Sequence, residues 1–182
     1  MAHILTISGS PTSPSRTGAV LGYCAEMIHR QWHAASVAQI TVRDLDAVEL
    51  MQGRYDGGSV MAAAALVGEA EGIILGTPVY RASFSGVLKA FLDVLPQGAF
   101  GGKVVLPVAV GGSPAHTLMI DYALRPVCAA LSAYHVLPGV YLIENQFEHA
   151  DGRLINFAAP EAENRMNGAI ETFIHAVRRL SI

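Results

Sequence analysis

Residues 4–17 read ILTISGSPTSPSRT, and this stretch decides the fold that the rest of the chain completes. Its apolar run ends at Ser8, a loop of glycine, serine and proline follows, and a helical pattern begins at about Ser15 and continues to Gln31. A buried strand, a loop of small residues and a helix N-terminus in this order are typical of α/β proteins that bind phosphate groups. The stretch therefore indicates both a fold class and a kind of ligand.

The loop carries the groups that a phosphate needs. The first backbone N–H groups of a helix have no intrahelical partner, and the helix dipole places partial positive charge there. Ser10, Ser13, Ser15 and Thr17 offer hydroxyl groups, and Arg16 adds a planar guanidinium. Ser15 also fits a plain helix N-cap, and the loop matches neither of the common nucleotide motifs, GxxxxGKS/T and GxGxxG. At this point phosphate binding and simple capping both remain open.

Composition favours a single domain over residues 1–182. Hydrophobic residues make up 52% of the chain and charged residues 15%, which suits a parallel sheet covered by helices on both faces. The net charge of −3 provides no basic field, so we expect no nucleic-acid partner.

The chain shows no feature of a membrane or secreted protein. Its first residues read as a strand rather than a signal peptide, and the longest apolar stretch, Val60–Leu75, is interrupted by glycine and glutamate. Cys24 and Cys128 both fall in predicted helices, where buried thiols are expected rather than a disulfide. We therefore expect a cytoplasmic protein without membrane contact.

Strand and helix patterns alternate along the chain. The predicted strands are Ile4–Ser8, Ser36–Val42, Gly72–Gly76, Lys103–Val110 and Val136–Ile143. The predicted helices are Gly18–Gln31, Ser59–Glu69, Val87–Leu95, Ala115–Tyr134 and Pro160–Leu180, and Leu45–Gly58 reads as an irregular connection. This alternation predicts an α/β, flavodoxin-like, doubly wound sheet of five parallel strands in the order 2-1-3-4-5.

Three loops follow the carboxyl ends of predicted strands. They are the phosphate loop, the segment Gly76–Gly86 with its proline, tyrosine and phenylalanine, and the segment Gly111–His116, which begins with two glycines. In a doubly wound sheet these ends face one crevice, which is where such folds bind ligands. A flat aromatic ring with polar edges and a phosphate tail fits this set of groups, and flavin mononucleotide (FMN) is such a molecule.

The same segments carry a family resemblance. Residues 77–96, TPVYRASFSGVLKAFLDVLP, resemble the flavin loop and following helix of the NADPH-dependent FMN reductases, and Gly9-Ser10-Pro11 with Ser15-Arg16 resembles their phosphate loop. Residues 102–107 (GKVVLP), 111–116 (GGSPAH) and 121–127 (DYALRPV) are similar to the alkanesulfonate-utilisation reductases of that family. Those enzymes are the reductase components of two-component FMN-dependent monooxygenase systems.

The resemblance implies a role for each matching residue. Ser10, Ser15, Arg16 and Thr17 would hold the FMN phosphate. Pro78, Val79, Tyr80 and Arg81 would line the isoalloxazine ring, and Gly111, Gly112 and Ser113 would meet its polar edge through backbone N–H groups. His116 would either contact the flavin or cap its helix. Thr12 stands where relatives of this branch often carry arginine, which leaves Arg16 as the main fixed positive charge.

The resemblance implies an NAD(P)H-dependent FMN reductase that uses FMN and NADPH and supplies reduced flavin to a partner monooxygenase. Hydride transfer between these cofactors needs no side-chain nucleophile, and the sequence offers no obvious triad, metal cluster or carboxylate pair. One alternative is an azo or quinone reductase that retains its FMN. Another is a flavodoxin-like electron carrier without enzymatic activity, which a net charge of only −3 disfavours.

We also expect a homo-oligomer, either a dimer or a tetramer. The predicted helices Val87–Leu95 and Ala115–Tyr134 carry more apolar residues than one buried face requires, and the mean hydropathy of the chain is +0.38. In the sulfonate-type reductases the tyrosine that matches Tyr122 lies in a π-helical turn at the subunit interface. The alternative for Tyr122 is a core tyrosine beside a kink at Pro126.

Overall fold

The computed structural model describes residues 2–180 and contains a parallel central sheet. The strands are β1 Ala2–Ser8, β2 Ala35–Thr41, β3 Gly72–Tyr80, β4 Ser83–Phe84, β5 Val104–Gly111, β6 His135–Val136, β7 Val140–Ile143, β8 Phe147–Ala150 and β9 Arg153–Phe157. The sheet order is β2-β1-β3-β5, and β6 and β7 both pair with the outer side of β5. The flavodoxin-like order 2-1-3-4-5 is thereby confirmed, with β5 as the fourth strand and β6 with β7 as the fifth.

Helices cover both faces of this sheet. They are α1 Arg16–Gln31, α2 Ala47–Met51, α3 Gly58–Glu69, α4 Gly86–Asp93, α5 Arg125–Ala130 and α6 Pro160–Leu180. On β3, Ile73 and Leu75 pack with α3, α4 and α5, whereas Ile74 packs with α1 and α6. Successive side chains of a strand point to opposite faces, so a strand buried on both sides is apolar throughout. This is why the strands read as continuous apolar runs.

Several segments differ from the sequence prediction. The connection Leu45–Gly58 is not wholly irregular, because it contains α2. The predicted strand Val136–Ile143 is divided into β6 and β7 around Pro138 and Gly139, since proline has no N–H for the ladder. Strand β3 runs on to Tyr80 and turns back into β4, and the hairpin of β8 and β9 was not predicted.

The predicted helix Ala115–Tyr134 is wrong as a single α-helix. A 3₁₀ turn spans Pro114–His116, a π-helical turn spans Ile120–Leu124, and α5 follows. The N–H of Arg125 donates to the carbonyl of Ile120, five residues earlier, which is the π spacing. Pro126 explains the wider turn, because it has no N–H to donate and its ring crowds the carbonyl four residues before it.

Both cysteines are buried free thiols, as predicted. Cys24 lies in α1 and Cys128 in α5, and burial raises the pKa of Cys24 to about 12 and that of Cys128 to about 11. Thiols held protonated in this way are poor nucleophiles. No helix between residues 2 and 180 has the length and apolar character that a bilayer-spanning segment requires.

Glu49 in α2 holds the start of α3. Its carboxylate accepts hydrogen bonds from the Ser59 hydroxyl at 2.8 Å and from the backbone N–H groups of Ser59 and Val60 at 3.1 Å each. A Cβ atom on Gly57 would lie 2.2 Å from Glu49 Cδ, so glycine leaves room for this contact. These bonds, the Ser59 hydroxyl first, lower the pKa of Glu49.

We expect Glu49→Gln to lower the melting temperature at pH 7 by a few degrees. A carboxyl whose pKa is lowered by folding contributes stability above its unfolded pKa, and this contribution is lost as the pH falls through the folded value. The difference between the melting temperatures of the wild-type protein and Glu49→Gln should therefore begin to shrink near the glutamate reference pKa of about 4.3 and should vanish only below the lower folded-state pKa. Thermal scans from pH 3 to pH 8 measure this, and a constant difference across that range would contradict it.

Candidate functional site

A polar cavity of about 100 Å³ lies at the carboxyl ends of β1, β3 and β5. It collects residues from the phosphate loop, the end of β3, the end of β5 and the segment after β7. Its lining consists of Ser10, Thr12, Pro14, Arg16, Thr17, Pro78, Val79, Tyr80, Val110, Glu144 and His149. Six predicted site residues therefore lie together: Ser10, Arg16, Thr17, Pro78, Val79 and Tyr80.

The phosphate loop is held in shape by its own hydroxyl groups and by one arginine. The Ser10 and Thr12 hydroxyls are 3.3 Å apart, and the Thr12 N–H lies 3.4 Å from Ser10 Oγ. Arg43, which follows β2, donates from Nη1 to the Thr12 carbonyl. Arg43 was missed in the sequence because its position beside the loop depends on the pairing of β2 with β1.

Ser15 and Arg16 have different tasks at the start of α1. Ser15 is the N-cap of the helix, since its Oγ accepts the Gly18 N–H at 3.1 Å. Ser15 is buried and does not line the small cavity, so its capping role is the one the geometry supports directly. Arg16 does line the cavity; its side chain is 49% exposed, and its Nη1 lies 3.7 Å from Glu144 Oε2. The cavity thus contains one guanidinium that is only loosely paired.

A buried network joins the phosphate loop to the flavin loop. Thr77 Oγ1 accepts the Ser85 N–H at 3.0 Å, and Ser85 Oγ accepts the Leu88 N–H at 3.1 Å as the N-cap of α4. The Ser85 hydroxyl itself donates to the Gly9 carbonyl. The Gly9 N–H donates to the Gly76 carbonyl at 2.8 Å. These bonds fix the relative position of the two loops before any ligand binds.

The hairpin between β3 and β4 presents Tyr80 and turns at Arg81. Tyr80 is 45% exposed and also borders a larger, mostly apolar cavity of about 590 Å³ next to α2 and α4. Arg81 and Ala82 have φ values of 50° and 62°, a left-handed conformation that non-glycine residues rarely adopt. Arg81 is exposed at the turn and does not line the small cavity.

The loop after β5 is positioned by Tyr141, a residue that the sequence did not reveal. The Tyr141 hydroxyl donates to the Ser113 carbonyl at 2.8 Å. Gly111 is buried, and a Cβ atom there would lie 2.0 Å from the Tyr141 hydroxyl oxygen. Glycine at position 111 therefore makes room for the tyrosine that holds the loop.

The rest of this loop is exposed beside the cavity rather than in it. Gly112, Ser113 and His116 do not line the small cavity. Ser113 caps the short 3₁₀ turn, with its Oγ 3.4 Å from the Ala115 N–H, so capping there falls to Ser113 and not to His116. His116 ends the turn as an exposed side chain.

We expect Gly111→Ala to weaken flavin binding about tenfold and to lower the melting temperature. The added methyl group displaces the Tyr141 hydroxyl and breaks its bond to Ser113, and overpacking of this kind typically costs about 1–3 kcal/mol. Gly112→Ala is the matched control, because nothing lies within 4 Å of a Cβ atom at that position. Equal FMN dissociation constants for the two variants, measured by flavin fluorescence, would contradict this role of Gly111.

The assembled groups suit binding rather than covalent chemistry. Hydroxyl groups, one guanidinium and a helix N-terminus recognise a phosphate, and a tyrosine and a proline beside them offer flat surfaces to a ring. Within residues 2–180, no three His, Cys, Asp or Glu side chains come together in a way that could hold a metal ion. The site is therefore suited to holding a phosphorylated aromatic cofactor that carries out the reaction itself.

Comparison with known proteins points to one family. The family model for NADPH-dependent FMN reductases matches residues 2–148. The chain is 41% identical over 179 residues to the FMN reductase (NADPH) of Pseudomonas putida KT2440, with 97% of this chain and 88% of that protein covered. It is 36% identical over 183 residues to the FMN reductase (NADPH) of Escherichia coli K12, with 99% and 92% covered.

A solved structure extends this similarity to the fold. The apo form of an NADH:FMN oxidoreductase superposes with a TM-score of 0.85 at 36% sequence identity, covering 95% of this chain and 88% of that one.

Proposed function

The chain belongs to the NADPH-dependent FMN reductase family and acts as an NAD(P)H-dependent FMN reductase, and we propose that it passes the reduced flavin to a partner monooxygenase. The observation that carries the assignment of the site is the small polar cavity where Ser10, Arg16 and Thr17 meet Pro78 and Tyr80. The hydroxyl groups and the guanidinium of this lining suit a phosphate, and Pro78 and Tyr80 begin the surface that we assign to an aromatic ring system.

The residues present fit FMN. Drug-sized ligands occupy pockets of about 300–1,000 Å³. A cavity of about 100 Å³ therefore suits one phosphate group, with the rest of the nucleotide in the open cleft. We assign the phosphate to Ser10, Arg16, Thr17 and the first N–H groups of α1, with Ser15 supporting them as N-cap. Bound FMN supplies the acceptor for the hydride of the nicotinamide.

The remaining predicted residues are assigned to the flavin ring. Pro78, Val79 and Tyr80 offer it an apolar surface, and Arg81 at the hairpin turn offers a positive charge near the entrance. The N–H groups of the loop from Gly111 to Ser113 are available to the polar edge of the ring, where donors stabilise developing negative charge. His116 remains a candidate contact at the far end of this loop.

Delivery of reduced flavin to a monooxygenase is supported by three features of the chain. The segments 102–107, 111–116 and 121–127 resemble the sulfonate-type reductases, and Tyr122 lies in a π-helical turn. Residues of the site are also accessible, since Tyr80 is half exposed. An accessible site is consistent with FMN as an exchanging substrate rather than a permanently bound group.

A turnover assay tests the function. The purified protein is mixed with NADPH or NADH and either free FMN or an azo dye or quinone, and nicotinamide oxidation is followed by absorbance. Oxidation of the nicotinamide when free FMN is the only added acceptor supports the proposal. Oxidation only with dyes or quinones indicates the FMN-retaining azo or quinone reductase, and no oxidation indicates the flavodoxin-like carrier. Addition of an FMN-dependent monooxygenase with its substrate tests the transfer step.

We further propose a homo-oligomer that works in the cytoplasm. Leu118 and Tyr122 are 62% and 79% exposed, and Met51, Tyr55 and Met61 form further exposed apolar surface around α2 and α3. Surfaces of this kind are commonly covered by another subunit. Two free thiols fit a reducing compartment. Sedimentation at micromolar concentration, with and without FMN, should give a dimer or tetramer, and a monomer under both conditions would contradict the proposal.

A further inference from the structure

His149 lines the small polar cavity that we assign to the FMN phosphate, although it is more than 130 residues from the phosphate loop in the sequence. It belongs to β8, whose hairpin with β9 packs on α1 through the rings of Tyr23 and Phe157, 5.2 Å apart. Phe147, in the same strand, is buried in the core beneath the hairpin. The hairpin is thus anchored to the same helix whose N-terminus forms the phosphate site.

The side chain of His149 has an unsatisfied polar atom. Its Nδ1 is shielded from solvent and has no hydrogen-bond partner among residues 2–180. A buried donor or acceptor without a partner destabilises the fold, so such atoms are rare unless a ligand or water completes them. His149 lines the cavity together with hydroxyl groups, Arg16 and Glu144, so its ring borders a site for a polar ligand, and Nδ1 itself would reach that site only after the ring rotates toward it.

The backbone at this position is irregular as well. The pairing of β8 with β9 shifts register between Glu148 and His149, so that Glu148 is opposite Asn156 while His149 is opposite Leu154. The extra residue of this bulge is Ile155 of β9, opposite the step from Glu148 to His149, and bulges are often found next to functional sites.

The charges of the cavity lining indicate which kind of ligand could bind beside His149. A phosphate monoester carries about −1.5 to −2 charges near neutral pH. Arg16 supplies the one arginine or lysine side chain among the described residues that line the cavity, and it lies 3.7 Å from the carboxylate of Glu144. The remaining donors from the phosphate loop are neutral, so a further strong donor from the hairpin would complete the site.

We propose that His149 is a positioning residue that donates a hydrogen bond from Nδ1 to the phosphate group of FMN. The proposal rests on the proposed function, because it assigns a further residue to the same site. It makes the β8–β9 hairpin part of the flavin site, so that the enzyme discriminates FMN from riboflavin through two distant segments of the chain.

The test compares dissociation constants for FMN and for riboflavin, which lacks the phosphate, by quenching of flavin fluorescence. His149→Ala should weaken FMN binding about tenfold, the effect of one hydrogen bond to a charged group, and leave riboflavin binding unchanged. His149→Asn places an amide group near the position of Nδ1 and should restore most of the FMN affinity. His149→Gln places it near Nε2 and should not.

Two controls separate this proposal from a general effect of losing a histidine and from a failure of the proposed function. His175→Ala removes an exposed histidine of α6 that does not line the cavity, and it should bind both flavins like the wild-type protein. Turnover of wild-type protein with NADPH and saturating FMN reports on the proposed function independently. His149→Ala should keep that maximal rate with a raised KM for FMN.

Three results would overturn the proposal. The first is an equal loss of FMN and riboflavin affinity, which would mean that His149 only supports the fold. The second is unchanged FMN affinity in His149→Ala, and the third is equal rescue by the Asn and Gln variants. If His149→Ala does not fold, the proposal is decided by whether His149→Asn binds FMN more tightly than His149→Gln.

Discussion

Deletion of Tyr122 should give a protein that purifies yellow with FMN bound, whereas the wild-type protein should purify colourless and use free FMN. A π-helical turn contains one residue more than the α-helix into which it is inserted. Removing one residue between Ile120 and Leu124 therefore allows the bond from the Arg125 N–H to follow the α spacing. We expect nicotinamide oxidation with free FMN to fall by at least tenfold, because the flavin no longer exchanges.

The structure connects this turn to the flavin site. Met119 and Ile120, at its start, are buried against Val79 and Phe84, which belong to the hairpin that presents Tyr80. A change of helical register rotates these two side chains and so moves the loop that we assign to the isoalloxazine ring. The Tyr122 ring itself points outward and is 79% exposed, which is consistent with the subunit interface implied by the family resemblance.

Tyr122→Ala is the matched control for the deletion. It removes the ring but keeps the number of residues, so the π-helical turn should persist and the protein should remain colourless. The absorbance spectrum after purification, the FMN content after denaturation and the steady-state rate measure the outcome. A deletion variant that purifies colourless and turns over free FMN at the wild-type rate would disprove the proposed role of the turn.

Arg16→Ala should weaken FMN binding about tenfold to 100-fold and change the rate at saturating FMN much less. Arg16 lines the small polar cavity, and its ion pair with Glu144 is long, at 3.7 Å. Hydrogen bonds to charged groups contribute about 1.5–3 kcal/mol, which corresponds to this range of affinity. Its loss also leaves the Glu144 carboxylate facing the phosphate without its cation.

Variants of Glu144, which lies next to Arg16, and of Arg30, which lies at the other end of α1, provide the comparison for Arg16→Ala. Glu144→Gln removes the carboxylate and should tighten FMN binding, and it should recover part of the loss in the double variant with Arg16→Ala. Arg30→Ala removes an exposed arginine at the other end of α1 and should leave both dissociation constants and rates unchanged. If Arg16→Ala and Arg30→Ala bind FMN equally well, the phosphate is not held at Arg16.

The elements that the sequence predicted well are those whose signals are local. Continuous apolar runs such as Ile73–Leu75 identify strands buried on both faces, and small-residue loops mark where they end. The predicted last helix, Pro160–Leu180, is present with those bounds, and the predicted helices that correspond to α1, α3 and α4 are present with bounds that differ by one or two residues. Apolar periodicity did not reveal the division of the last strand, which the missing N–H of Pro138 causes, or the hairpin of β8 and β9, which depends on its packing against α1.

The predicted site was incomplete for the same reason. The phosphate loop and the flavin loop could be recognised because each is a contiguous motif. Arg43, Tyr141 and His149 could not, since each is a single residue that reaches the site only after its strand or hairpin has paired. Ser15 illustrates the opposite case, in which a residue with the right chemistry serves mainly as a helix cap.

The sequence by itself thus determined the class of fold, the strand order and the two loops to which we assign the nucleotide, because apolar periodicity and turn residues act over a few neighbouring positions. The tertiary structure alone decided which residues line the small polar cavity and how the loop after β5 is held, whereas the π-helical turn at Tyr122 was already implied by the family resemblance. These features arise from contacts between segments far apart in the chain, such as Ile120 against Gly139 and the Tyr141 hydroxyl against Gly111, where packing space rather than local preference fixes the conformation.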